Sequence, residues 1–271
     1  PTVDGHYAVG GIQDRILRAL KALGKDIGNL TASDLSPIDE FHIRGREATH
    51  ELAERTELGP GLNVLDVGCG LGGSVRHLAV EHQCHVTGID LTDEYIKTAV
   101  ALSRLVGLEK QVEFHTCSAL KMPFGDAAFD VVWTEHAQMN IEDKAGLYGE
   151  IARVLKPGGR LVFHDIFQGP GGEPHFPVPW AEDRSISFLI SPDSARDVLE
   201  KIGLEIRNWE DKGAHSLAWF ETAAEKLKSS GPPSLGTHLL MGETAKDKFV
   251  NVVRNLRDER IAVLQAVLVK R

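Results

Sequence analysis

Val64-Leu65-Asp66-Val67-Gly68-Cys69-Gly70-Leu71-Gly72-Gly73 is the stretch whose reading decides the fold. An apolar run leads into a loop with four glycines, and apolar positions at helical spacing follow. Asp90, twenty residues after Gly70, ends a second apolar run, Val86-Thr87-Gly88-Ile89-Asp90. Glycines let the backbone approach a ligand closely. An acidic residue one strand over can accept hydrogen bonds from a ribose. The pattern points to an adenosine-containing cofactor. Gly68, Gly70 and Gly73 satisfy the G-x-G-x-x-G dinucleotide fingerprint, which on its own is a weak signal.

Two details favour a different cofactor. Asp66 lies inside the strand before the loop, at a position that is usually apolar in dinucleotide-binding domains. About ninety residues on, Leu155-Lys156-Pro157-Gly158-Gly159-Arg160-Leu161 ends a helix and turns into a strand. Together these motifs resemble the class I methyltransferases that use S-adenosylmethionine, and the resemblance spans roughly residues 40 to 211. It implies an α/β fold, a doubly wound, mostly parallel seven-stranded sheet of Rossmann-like methyltransferase type. By the resemblance Gly68, Gly70 and Gly72 pass under the ribose and the methionine part of the cofactor, and Asp90 takes both ribose hydroxyls. Leu91 packs on adenine, and Asp66 organises the loop near the cofactor ammonium. Ser118-Ala119, followed by Leu120, stands where the family carries Asp-Ala, so one carboxylate acceptor for the adenine amino group is replaced by a hydroxyl.

Phe41-His42-Ile43-Arg44-Gly45-Arg46-Glu47-Ala48-Thr49 resembles the glycine-containing segment that precedes the first strand in small-amine methyltransferases. By that likeness residues 42–44 face the cofactor carboxylate, with Arg44 as its cation. The alternative reading pairs Arg44 and Arg46 with Glu40 and Glu47 on a solvated surface.

Strands are expected at 63–67, 86–90, 111–115, 129–134, 160–166, 204–210 and 260–270, and helices at 73–82, 93–106, 143–155 and 192–202. Such alternation means a parallel sheet with helices on both faces; by the resemblance the seventh strand runs antiparallel beside the sixth. Residues 11–24 carry a helical apolar stripe that ends at Gly24. Residues 1–55 read as an N-terminal helical cap and 56–271 as the core. Two inserts, 167–184 and 213–258, form a substrate lid, the second a helix–loop–helix broken at Ser229-Ser230-Gly231-Pro232-Pro233. A solvent-exposed connection is the competing reading of that second insert.

The chain has 271 residues, 42% of them hydrophobic, enough for one substantial core. A net charge of −9 without a Lys/Arg run argues against nucleic acid as a partner. No apolar stretch reaches the ~20 residues of a membrane span. The first residues show neither a basic start nor an apolar h-region, so no secretory signal is expected. Three cysteines, Cys69, Cys84 and Cys117, read as reduced thiols of a cytoplasmic protein. Twelve histidines include none at metal-ligand spacing, so no metal is expected. The oligomeric state is unspecified.

Methyl transfer from a sulfonium is an in-line displacement that needs alignment and exclusion of water. Thr134-Glu135-His136-Ala137-Gln138-Met139-Asn140 follows the fourth strand, where it faces the cofactor sulfur. Thr134 and Glu135 complete the expected cofactor set, and His136 is the expected base. Gln138 and Asn140 are suited to orient an acceptor. Phe41 and Trp180 could form an aromatic wall for a cationic amine or serve as ordinary packing. His164 closes the fifth strand, in the pocket or as hydrogen-bonded structure.

The Gly-Leu-Gly-Gly loop and Glu-Ala-Thr are similar to those of phosphoethanolamine and sarcosine/dimethylglycine methyltransferases. The phosphoethanolamine branch carries Arg-Asp at the positions of Glu135-His136 and a catalytic His at that of Asn140, all absent here. The implied function is S-adenosylmethionine-dependent methylation of a small molecule, at an amine nitrogen. The alternatives are an oxygen or carbon acceptor, an NAD-dependent oxidoreductase, or a regulatory module without catalysis.

Overall fold

A computed structural model describes residues 2–8, 10–231 and 233–271. Among the described residues, the α-helices α1 Val3–Tyr7, α2 Ile12–Ala22, α3 Ala32–Asp39 and α4 Arg46–Glu54 precede the sheet. Strand and helix then alternate through β1 Asn63–Val67, α5 Gly73–Glu81, β2 His85–Asp90, α6 Asp93–Leu105, β3 Val112–Thr116 and β4 Phe129–Glu135. The order continues with α7 Lys144–Val154, β5 Leu155–Gln168, α8 Pro192–Lys201 and β6 Leu204–Asp211. After α9 Gly213–Ser230, α10 His238–Met241 and α11 Ala245–Arg257, the chain returns as β7 Ile261–Lys270.

Local chemistry explains several boundaries. Ile12, Ile16 and Leu20, spaced four apart, put one face of α2 into the core. Ser191 caps α8, its hydroxyl accepting from the Ser194 amide, with Pro192 at the first helical position. Asp143 likewise caps α7 by accepting from the Gly146 amide.

The sheet runs β3-β2-β1-β4-β5-β7-β6, with β7 antiparallel to both β5 and β6. The chain reverses direction across the sheet between β1 and β4, and the carboxyl ends of those strands flank the crevice where such folds bind ligands. Alternate residues of β1 enter opposite cores, as a two-residue period demands. Val64 packs with Val75, Val86, Val131 and Val162 on one face. Leu65 packs with Val132, Leu147, Leu161 and Phe163 on the other.

Two differences from the sequence reading are physical. The fifth strand begins at Leu155 rather than 160, because Leu155 pairs with Phe129 before the Lys156–Gly159 turn bulges and pairing resumes at Val131 and Arg160. The second insert contains the extra short helix α10, and Leu235 and Leu240 share an apolar cluster with Ile12, Ile16 and Leu20 of α2. The N-terminal helices and the insert therefore meet. Pro1 and Pro232 of the expected segments lie outside the described residues. Among the described residues no helix is long and apolar enough to cross a membrane.

Candidate active site

A cavity of about 920 Å³ opens at the carboxyl ends of β1, β2 and β4. Its floor is the turn between β1 and α5. The Gly68 and Cys69 amides both donate to the Ile89 carbonyl, which ties the turn to β2. Gly68 has φ +80°, and a Cβ there would lie 2.5 Å from the Ala137 Cβ. At Gly73 a Cβ would fall onto the Asp39 carbonyl oxygen, so the start of α5 can touch the end of α3 only as glycine.

Asp90 is held in place by backbone. One carboxylate oxygen accepts from the Gly70 amide at 3.0 Å, the other from the Thr92 amide at 2.8 Å. Each oxygen keeps a lone pair for a ribose hydroxyl. Leu91 and Leu120 line the cavity while remaining 50% and 41% exposed, an apolar slot wide enough to leave both uncovered. Ser118 and Ala119 stand beside Leu120, and the Ser118 hydroxyl accepts from the Leu120 amide.

Asp66 borders the same cavity with only 2% of its surface exposed. Among the described residues no donor reaches its carboxylate, and burial, with Glu135, Asp90 and Glu40 nearby, raises its pKa well above the ordinary value. A buried carboxylate without a donor is costly unless a cation arrives to pair with it. The ammonium of S-adenosylmethionine has that chemistry, and Asp90 and the Leu91–Leu120 slot suit its nucleoside half.

Glu135, at the end of β4, gathers the site's walls. Its carboxylate accepts from Trp133 Nε1 at 2.8 Å and from the Ser74 hydroxyl at 2.6 Å. Thr49 Oγ1 lies 3.1–3.2 Å from its two oxygens, and His42 Nε2 3.3 Å from one of them. It thus joins β4, α5 and the segment before α4. Glu40, with burial raising its pKa, stands 3.5 Å from His42 and pairs with Arg46.

Of the residues expected at the site, Phe41, Arg44, Asp66, Gly68, Gly70, Asp90, Leu91, Ser118, Ala119, Leu120, Glu135, His136, Asn140 and Trp180 border the cavity. Four others do not, for identifiable reasons. Gly72 caps α5 against Phe114 and Arg76. Thr134 alternates with Glu135 along β4 and is buried beside Phe163 of β5. Gln138 spends its side-chain amide on the Ile166 carbonyl. His164 is buried with Nε2 on the Ile43 carbonyl at 3.0 Å.

Several side chains that border the cavity are already engaged. Asn140 donates to the Trp180 and Ile186 carbonyls at 2.8 and 2.9 Å and accepts from the Tyr7 hydroxyl at 2.8 Å. Arg44 donates to Glu51 at 2.7 Å and Glu47 at 3.0 Å, so the pairing read as an alternative is present, though the guanidinium is buried rather than solvated. His136 stacks on His164 with ring centroids 5.2 Å apart, and its Nε2 has no partner. Burial, with His164 and His42 close by, holds the His136 pKa well below its ordinary value. Burial likewise pushes His164 down to about 3.

As site residues, sequence reading overlooked Thr49, Ser74 and Tyr7, and it named Glu40 only as a surface partner of Arg44 and Arg46. Thr49 lay within the quoted motif, whereas Tyr7 reaches Asn140 across 133 residues and carries no local signal.

The methyltransferase domain family matches residues 65–163. A glycine/sarcosine/dimethylglycine N-methyltransferase of Actinopolyspora halophila is 28% identical over 194 residues, 72% of this chain and 34% of that protein. A sterol 24-C-methyltransferase of Eremothecium gossypii is 32% identical over 235 residues, 81% of this chain and 62% of that protein. An O-methyltransferase of Aspergillus nomiae is 30% identical over 174 residues, 64% of this chain and 77% of that protein. The chain spans only about a third of the length of the N-methyltransferase. Among solved structures, a Haemonchus contortus phosphoethanolamine N-methyltransferase with S-adenosylhomocysteine superposes with TM-score 0.76 at 18% identity, covering 100% of this chain and 61% of that one. These relatives are named for different acceptor atoms. The chain belongs to the class I S-adenosylmethionine-dependent methyltransferases.

Proposed function

We propose that this protein transfers a methyl group from S-adenosylmethionine to a small-molecule acceptor. The observation that carries the reading is the bare, buried Asp66 carboxylate facing a cavity whose other wall holds Asp90 on two backbone amides. Asp66 would pair the ammonium, Asp90 the ribose hydroxyls, and Leu91 with Leu120 the two faces of adenine. Arg44 would turn from Glu47, whose side chain is 62% exposed and free to move into solvent, to the cofactor carboxylate, and would keep Glu51. The cofactor supplies a sulfonium methyl; the protein aligns the acceptor and excludes water.

The acceptor atom in this reading is an amine nitrogen, supported by the likeness to the N-methyltransferase of Actinopolyspora halophila. His136 borders the acceptor side. With its pKa held well below 6.5 it is a poor base for an alkylammonium, so the amine would enter as the free base. A second reading, a carbon or oxygen acceptor, is supported by the likeness to the sterol and O-methyltransferase relatives. Three unpaired thiols fit a reducing, cytoplasmic setting.

Calorimetry with S-adenosylhomocysteine, followed by labelled methyl transfer to a panel of amines, phenols and carbon acids, tests the reading. Micromolar binding with labelling of an amine supports it. Absence of S-adenosylhomocysteine binding sinks it.

A further inference from the structure

Beyond the floor, the cavity wall changes character. Ile166 lies near the end of β5, Met139 in the turn after β4, Trp180 in the first insert and Phe188 just beyond it. The second insert adds Trp219, Leu240, Met241 and Phe249, and the N-terminal helices add Val3 and Tyr7. Ile166 and Trp180 are each 1% exposed, and Met139, Leu240 and Met241 are buried, so this wall is packed and preformed.

Its charges are one-sided. Among the described residues lining the cavity, the only lysine or arginine side chains are Arg44 and Arg46. Arg44 is taken by Glu47 and Glu51, and Arg46 by Glu40 with Asp39 at 3.9 Å. Both arginines belong to the segment whose His42 and Thr49 meet Glu135, with Glu40 held by the same Thr49 hydroxyl, at the cofactor end. Carboxylates line the cavity on several sides, including Asp66, Asp90 and Glu135 inside and Glu142 and Asp143 near the mouth. The neighbouring imidazoles His136 and His164 are held neutral by burial. An anionic acceptor would be desolvated here with no unpaired cation to meet it.

We infer that the acceptor is a molecule with an apolar body and a neutral or cationic head, and that acceptors bearing a phosphate or carboxylate are rejected. The inference rests on the methyltransferase reading for the word acceptor; the selectivity of the pocket rests only on its walls. It separates this chain from the proteins named for glycine or phosphoethanolamine, whose substrates carry an anion. Aromatic faces at Tyr7, Trp180 and Trp219 suit a hydrophobic body and tolerate a cation.

A matched series decides the matter: n-octanol, octylamine, octanoate and octyl phosphate, titrated into the wild-type protein with and without S-adenosylhomocysteine. All four share one apolar body and differ only in head charge. Octanol and octylamine are expected to bind, with octanoate and octyl phosphate at least tenfold weaker, and glycine and phosphoethanolamine not at all. Met241→Lys, placing a cation in the apolar wall, is expected to shift the ratio of octanoate to octanol affinity at least fivefold toward octanoate. Equal or tighter binding of either anion by the wild type, or no binding by any octyl compound, overturns the inference. Failure of S-adenosylhomocysteine to bind sinks the methyltransferase reading alone, because the octyl series on the free protein still reports the pocket's selectivity.

Discussion

The floor of the cavity and its far wall are built in different ways. The floor is one continuous stretch, residues 63–73, with Asp90 from the neighbouring strand; its contacts are backbone amides, a positive-φ glycine and carboxylates. The far wall gathers apolar side chains from α1, the turn after β4, the end of β5, and two inserts widely separated in sequence. Holding the cofactor is met by backbone geometry that tolerates little change. A task that varies, holding an acceptor, is met by side chains on segments the sheet does not constrain.

Changes at the floor should therefore be severe and specific to the cofactor. Asp90→Ala removes the carboxylate proposed to hold the ribose and leaves the Gly70 and Thr92 amides without their acceptor. S-adenosylhomocysteine affinity is expected to fall at least ~100-fold, about 2.8 kcal/mol, while octanol binding changes little. Calorimetry with both ligands reads this, and an affinity within threefold of wild type would break the contrast between floor and wall.

Backbone at the floor can be tested against backbone elsewhere. Gly61 and Gly68 share φ +80°, but a Cβ at Gly61 meets nothing within 4 Å, whereas at Gly68 it strikes Ala137. Gly68→Ala is expected to lose about 1–3 kcal/mol more stability than Gly61→Ala in urea unfolding, the cost of overpacking beyond shared backbone strain. Equal losses would mean that the contact with Ala137 is easily relieved.

The histidines between floor and wall give a pH signature. His164 has a folded-state pKa of about 3 against about 6.5 unfolded, so below pH 6.5 the unfolded chain takes up the proton and the folded one does not. Its contribution to stability is present above pH 6.5 and is lost as pH falls toward 3. Between pH 6.5 and 5 the loss is about 2 kcal/mol. His164→Gln should lose correspondingly less over that interval in paired denaturation curves. A variant with the same acid sensitivity as wild type would remove His164 from the account.

The smallest effect is expected at the wall. Tyr7→Phe deletes the hydroxyl that donates to Asn140 and keeps the ring. A stability loss of about 0.5–1.5 kcal/mol and a severalfold rise in KM for an apolar acceptor should accompany an unchanged affinity for S-adenosylhomocysteine. A change in cofactor affinity of the same size would show that floor and wall are not separable.

The sequence by itself determined the α/β alternation, the cofactor loop and the place of Asp90, because each follows from local rules. Apolar runs of period two make strands, helical stripes and caps such as Ser191-Pro192 make helices, and a tight β–α turn needs glycine. The same locality explains why Leu91, Ser118 and Leu120 were found beside the cavity: each immediately follows a strand or its turn at the carboxyl edge. Tertiary structure alone decided how polar side chains are spent. Gln138 ties down the Ile166 carbonyl, Asn140 braces Trp180, Arg44 is divided between Glu47 and Glu51, and Glu135 collects donors from α5, β4 and the segment around Thr49. It also decided that α2 and the second insert share one apolar cluster. The physical reason is range: a backbone conformation is chosen by a residue and its near neighbours, whereas a buried side chain takes whichever partner folding delivers from any distance along the chain.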